Sequence, residues 1–188
     1  MIATPKFDYT TPDEYLEMEE RSDVKHEYID GYVYAMADAN DPHVTISLNM
    51  AFLIRNHLRG SNCRVYMSDM KARIDSLNRF YYPDVMVTCD PKDTQTPNHK
   101  RFPKLIIEVL SKSTEGFDRG DKFADYQQLA SLEEYVLVNT KRQRLDCFRR
   151  NEEGLWVLKS YSGGKEKFQL SSINFEGEFT DLYEDVVF

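Results

Sequence analysis

The sequence is short of cysteine: Cys63, Cys89 and Cys147 are its only three, scattered and without metal-ligand spacing. Such a set is expected to remain as thiols in a reducing cytoplasm, and it supports neither a zinc site nor a disulfide framework. Long apolar runs are also missing. Nothing approaches the roughly 20 residues needed to span a bilayer, so no membrane partner is expected. The opening stretch, residues 1–8, lacks the apolar segment of a secretory signal. Glycine and proline are few, and there is no glycine-rich phosphate loop, no G-x-S-x-G and no cysteine–histidine pair in recognisable context. Positive charge is in deficit too. Lys and Arg number 24 against 32 Asp and Glu, a net charge of -8, which argues against a surface that binds nucleic acid broadly by charge but leaves room for a local basic groove.

What is present is a globular composition, 41% hydrophobic and 13% aromatic, long enough to bury a core as one domain over residues 1–188. Thr11-Pro12-Asp13-Glu14 predicts a helix start with a capping box. His26 to Met36 reads as two strands around Asp30-Gly31, a strong hairpin signal. Asp38 to Pro42 reads as a loop and His43 to Arg59 as a long helix, with Val44, Ile46, Leu48, Ala51, Leu53, Ile54 and Leu58 on its buried face. Strands are expected at 63–67, 71–75 and 81–88. The polar stretch from Asp90 to Pro103 reads as an exposed, mobile loop. A strand around Glu108, a helix over 118–130 capped by Asp118, and a strand over 134–139 follow. A hairpin with one wet face, 144–150 and 155–161, precedes a tail that packs across the body. Tyr28, Tyr32 and Tyr34 read as exposed aromatics that a homodimer would cover.

The chemistry concentrates in two acids. Lys104-Leu105-Ile106-Ile107-Glu108-Val109-Leu110 is an apolar strand with one carboxylate in its middle, and Tyr82-Pro83-Asp84-Val85-Met86-Val87 carries a second. Burying an ionised carboxylate alone costs several kcal/mol, roughly, so each must be neutralised, hydrogen-bonded or holding a cation. On neighbouring strands the two would converge on one Mg²⁺, which needs only one or two carboxylates beside waters and phosphate oxygens. The plainer account pairs each acid with an arginine such as Arg73 or Arg119. Lys122, four residues after Asp118, is either an exposed surface pair or an ammonium aimed at the site, with Tyr126 one turn further along. Glu27 alone is an ordinary exposed acid, and His43 reads as a cap or packing residue. Basic residues cluster modestly at Lys100-Arg101-Lys104, Lys141-Arg142-Arg144 and Arg149-Arg150.

Several blocks in order carry a resemblance over about residues 10–160. Glu27-Tyr28-Ile29-Asp30-Gly31 with Met36 and His43, Pro83-Asp84-Val85, Ile107-Glu108-Val109-Leu110-Ser111-Lys112-Ser113-Thr114, Asp118-Arg119 with Lys122, and Glu134 to Val138 resemble the Uma-two family of restriction-endonuclease-like proteins. That family belongs to the PD-(D/E)XK nuclease superfamily. The resemblance implies an α/β fold with an αβββαβ core, here carrying an added N-terminal helix and hairpin and C-terminal antiparallel strands. It implies that Asp84 and Glu108 hold a Mg²⁺ or Mn²⁺, that Lys122 is the basic partner, and that Glu27 supports the site. The superfamily's lysine two residues after the acid is replaced here by Leu110.

The function expected is metal-dependent hydrolysis of DNA phosphodiester bonds. Two alternatives stay open: a catalytically silent binding or regulatory protein on the same fold, favoured by Leu110 and the acidic charge, and a metal-dependent hydrolase of a small phosphorylated substrate.

Overall fold

The computed structural model describes residues 9–36, 38–164 and 166–188. Residues 1–8, read above for a signal, lie outside the described residues.

Helix α1 (Pro12–Glu19) opens with the expected capping box, Thr11 and Glu14 exchanging side-chain-to-backbone bonds. Thr11→Ala is expected to cost about 1 kcal/mol of stability in a denaturant titration. Strands β1 (His26–Ile29) and β2 (Tyr32–Ala35) form the predicted hairpin. Its turn needs positive φ at both central positions, and Asp30 (45°) and Gly31 (93°) supply it.

Helix α2 runs over Asp41–His57, starting two residues before the position expected. Asn40 caps it by accepting from the His43 backbone, and Pro42 tolerates the first turn because no intrahelical donor is needed there. Ile46, Met50, Ala51 and Ile54 face the core, while Val44 and Leu48, expected on the buried face, are exposed. The helix is thus buried along a narrower stripe than its apolar content suggests.

The strand expected over 81–88 is two strands in different sheets. Strand β5 (Arg79–Tyr81) ends and β6 (Val85–Thr88) begins on either side of Tyr82-Pro83-Asp84, because Pro83 has no N–H to continue a ladder. With β3 (Arg64–Met67), β4 (Lys71–Ile74), β7 (His99–Lys100), β8 (Pro103–Leu110), β9 (Glu134–Asn139), β10 (Arg144–Arg150) and β11 (Trp156–Ser162), the strands make two sheets. One has the order β2-β1-β5-β4-β7 and the other β11-β10-β9-β8-β6-β3. In the second, β8 runs antiparallel to β6 and parallel to β9. The parallel crossover passes through α3 (Glu115–Arg119) and α4 (Asp121–Tyr126), which replace the single helix expected over 118–130. Gly120 interrupts it, and Thr114, not Asp118, stands at the N-cap.

Glu108 lies in the middle of a strand buried on both faces, as its apolar run requires. One face of that sheet packs against α2 and the tail, where β12 (Lys167–Leu170), β13 (Phe175–Glu178) and α5 (Phe179–Leu182) close a core of Ile46, Met50, Val85, Ile107 and Phe168. The other face, with Ile106, Leu110 and Met86, meets the first sheet and α4 through Tyr81, Phe123 and Tyr126. A third, small core of Tyr15, Tyr28 and Phe80 lies under α1. Tyr28 is therefore buried and not exposed as expected, whereas Tyr32 and Tyr34 are 49% and 52% exposed.

Of two further expectations, one holds only in part and one fails, each for an identifiable reason. The stretch from Asp90 to Pro103 is knitted inward in part: the Asp93 carboxylate accepts from the backbones of Arg101 (2.8 Å) and Phe102 (3.1 Å), and the buried Lys100 ammonium donates to the Asp93 carbonyl at 2.8 Å. Exposure is as expected at Pro91, Lys92, Thr94, Gln95, Pro97 and Asn98, but Asp93 and Lys100 turn inward to the segment's own backbone. Cys63 and Cys89 are not free thiols but a disulfide closed over 26 residues. They flank the register pair Arg64↔Thr88 of β3 and β6, an adjacency created by the sheet and invisible as sequence spacing. The bridge removes the support that unpaired thiols gave to a reducing compartment; Cys147 alone stays free and buried. A loop of that size predicts a loss of about 3–4 kcal/mol for Cys63→Ser/Cys89→Ser, measured by chemical unfolding without reductant.

Candidate active site

The two sheets and α4 bring four acids to one place. Asp84 sits in the bend before β6, and its backbone N–H donates to Glu108 Oε2 at 3.4 Å. Asp84 Oδ2 in turn accepts from the Val109 backbone at 2.7 Å. Because β6 and β8 are antiparallel neighbours, the carboxylates of Asp84 and Glu108 share one end of the sheet. Glu27 enters from β1 across the interlayer, accepting from the Tyr82 backbone at 3.3 Å. Asp118 enters from α3, and its side chain is buried.

Lys122 is the hub. From the first turn of α4 its ammonium lies 3.0 Å from Glu108, 3.1 Å from Glu27 and 3.7 Å from Asp118. Tyr126 donates to Glu108 Oε1 at 3.2 Å from the next turn. The structure thus brings Glu27, Asp84, Glu108 and Lys122 together. Lys122 and Asp118 are 5% and 4% exposed, so they are not the surface pair weighed above. The arginine-pairing account also fails, since Arg73 binds Asp75, and Arg119 binds Glu115 and Asp146.

Sequence reasoning missed His43. Its Nε2 lies 3.2 Å from Asp84 Oδ2. The early start of α2 puts His43 in the helix's first turn, where its ring reaches the end of β6. The capping residue Asn40 was the signal that could have placed it.

Electrostatics follow from burial with a charge imbalance. Burial pushes the Glu108 carboxyl well above the ordinary carboxylate range; Lys122 pulls it back, and Asp118 and Asp84 push it further up. Asp118 is raised for the same first reason, with Lys122 opposing. Burial works to lower the Lys122 pKa, but Glu108, Glu27 and Asp118 overturn it and hold the ammonium well above its usual value. For His43, burial is likewise outweighed by the hydrogen bond to Asp84, and the pKa is raised.

Three carboxylates around Lys122 and a fourth, Asp84, against His43 set four acids beside two basic groups. No group of three or more His, Cys, Asp or Glu among the described residues forms a finished metal cage. Mg²⁺ does not need one: one or two carboxylates, completed by waters and substrate phosphate oxygens, are its usual protein share. The oxygen donors of Asp84 and Glu108, side by side at one end of the sheet, are of the kind a hard divalent cation takes.

Among the described residues, members of the three basic clusters read from the sequence are mostly engaged by other groups, Lys141 and Arg142 excepted. Lys104 binds Glu133, Arg101 binds Asp75, Arg144 binds Asp146, and Arg149 binds Glu134.

Residues 12–179 match the family model described as "Putative restriction endonuclease", Uma2. The chain belongs to the Uma2 family. Two relatives from Synechocystis sp. match almost end to end. An "Uncharacterized protein slr1290" is 37% identical over 97% of this chain and 95% of its own, and an "Uncharacterized protein sll1609" is 31% identical over 91% and 97%. Among solved structures, a "putative nuclease belonging to DUF820" from Anabaena variabilis superposes with a TM-score of 0.77, covering 94% of this chain and 99% of its own. At 14% identity that likeness establishes the fold. This Uma2 chain is a mixed α/β protein with the restriction-endonuclease-like core expected, and no helix among its described residues is long and apolar enough to cross a membrane.

Proposed function

We propose that this Uma2 protein is a divalent-metal-dependent endonuclease that hydrolyses DNA phosphodiester bonds. The observation carrying the reading is the charge of the nest: Glu27, Glu108 and Asp118 gather around one ammonium, Asp84 beside Glu108 faces His43, and Glu108 and Asp118 are almost closed to water. Buried carboxylates in such excess are costly unless a cation answers them. Asp84 and Glu108 would hold Mg²⁺ or Mn²⁺. When bound, the ion supplies an acidified water and neutralises charge developing on the phosphate.

The chain's own residues have separable tasks. His43 and the Val109 N–H fix Asp84, and Tyr126 fixes Glu108. Lys122, kept protonated by the acids around it, acts as a donor to the carboxylates and to a substrate phosphate oxygen; it does not serve as a base. It takes the place of the lysine that Leu110 lacks. Glu27 holds Lys122 at that position. Two copies would place two such centres on the two strands of a duplex, with the exposed Tyr32 and Tyr34 at the contact; sedimentation at micromolar concentration checks for that dimer.

The direct test is a supercoiled plasmid incubated with the parent and with Asp84→Ala. Nicked and linear products in Mg²⁺ or Mn²⁺, none in EDTA and none with Asp84→Ala, are expected. Equal cutting by Asp84→Ala would sink the assignment. Leu110 favours a second reading, a silent relative that binds duplex without cutting it. Saturable duplex binding with no product from the parent in either metal would establish that one.

A further inference from the structure

Most arginines of this chain are committed to an acid or to a carbonyl, as the pairs above show. Three are not. Arg55, Arg59 and Arg64 have no ion-pair or hydrogen-bond partner for their guanidinium groups among the described residues. All three line one hollow of about 540 Å³. Arg55 and Arg59 come from the end of α2 and the turn after it, and Arg64 from the start of β3. Ser61, Asn62 and Thr94 add polar lining, no acid is among the lining residues, and the carboxylate of the neighbouring Asp90 is taken by the Lys92 backbone. The Cys63–Cys89 bridge ties its two strands together.

In a chain with eight more acids than bases, three exposed guanidinium groups around one concavity make a local positive patch that an anion can bridge. The end of a helix favours cations by its dipole, which accounts for Arg55 and Arg59 singly. It does not account for Arg64 arriving from another element, nor for the absence of acids from the lining. Arginine presents planar, paired donors suited to phosphate oxygens.

We infer that this hollow is a second binding site, for a phosphate-bearing anion. It lies apart from the carboxylate nest. From His43, which touches Asp84, to Arg55 is 12 residues of α2, about 18 Å at the helical rise. That is the length of about five base pairs of duplex. Two sources share the chemistry: a backbone phosphate of a nucleic-acid strand, or a free phosphorylated small molecule. The site stands whether or not the carboxylate nest cuts DNA.

The test is equilibrium binding in EDTA, with pyrophosphate and with a short oligothymidylate as probes. The proteins are the parent, Glu108→Gln, Arg59→Gln/Arg64→Gln, and a charge-matched control, Lys112→Gln/Lys141→Gln. The parent and the lysine control are expected to bind alike, and Glu108→Gln, which lacks one negative charge of the nest, at least as tightly. The double arginine variant is expected to bind about tenfold or more weakly, the scale of lost charge-assisted contacts. A strand as the natural occupant gives tighter oligonucleotide binding, with a salt slope that falls by roughly 1 to 2 in the arginine variant. A free phosphorylated compound gives pyrophosphate binding at least as tight. No binding by the parent, or equal weakening in the lysine control, overturns the site.

Discussion

Lys122→Met is expected to lower stability by about 3–5 kcal/mol at neutral pH, the loss that follows when one partner of a buried ion pair is removed. For a chain of this length that is a fall in Tm of roughly 10 °C. The cause is specific: with Lys122 gone, Glu27, Glu108 and Asp118 lose the ammonium within reach of all three. The effect should depend on pH in a definite direction. The folded pKa of Lys122 is raised, so its contribution is complete below the ordinary lysine value of 10.5 and is lost as pH rises through the elevated one. Glu108 and Asp118 also have raised folded values, chiefly from burial. For carboxylates this means the fold is favoured while they hold protons and penalised as pH climbs through those values. The cost of Lys122→Met should therefore shrink as pH drops from 8 to 5. Denaturant unfolding at both values measures it, and a cost below 1 kcal/mol at pH 8 would mean that the lysine does not neutralise the nest.

Glu108→Gln is expected to cut the rate of metal-dependent DNA cleavage by at least about 10²-fold, the scale of losing one group that stabilises developing charge. Its fold should survive. The amide keeps the shape of the side chain and an oxygen for Tyr126, and Lys122 keeps Glu27 and Asp118. Without metal its stability at pH 8 should equal or exceed the parent's, because a buried ionised carboxylate is replaced by a neutral group. Activity and stability are thus predicted to part company, which a merely structural role for Glu108 would not produce. Single-turnover cleavage and thermal unfolding of the same preparation decide it.

How much of this could be read beforehand depends on whether the signal was local. The strand around Glu108 was legible because a carboxylate inside an apolar run has few explanations, and the hairpin because Asp30-Gly31 meets a backbone demand that few dipeptides meet. The break at Pro83 was available in the sequence but outweighed by the apolar residues on either side. Gly120 was equally visible, yet helix periodicity resumed after it. Other features had no local signal at all. The Cys63–Cys89 bridge follows from strand register, and the inward folding at Asp93 and Lys100 from where their polar groups find partners; the place of His43, by contrast, follows from the Asn40 cap of α2, which the sequence does carry. Lys122 lay between these cases: its spacing from Asp118 allowed either a surface pair or an inward ammonium, and only the packing of α4 between the sheets decides for the second.

The central claim is that Asp84 and Glu108 together hold one divalent cation. Calorimetric titration of Mn²⁺ into the parent and into Glu108→Gln, with a non-cleavable DNA duplex present, tests it most directly. The account predicts saturable uptake by the parent and binding at least about 10-fold weaker in Glu108→Gln, since even outer partners of metal ligands are worth that much. Equal uptake by both proteins, or none by the parent with duplex bound, would contradict it.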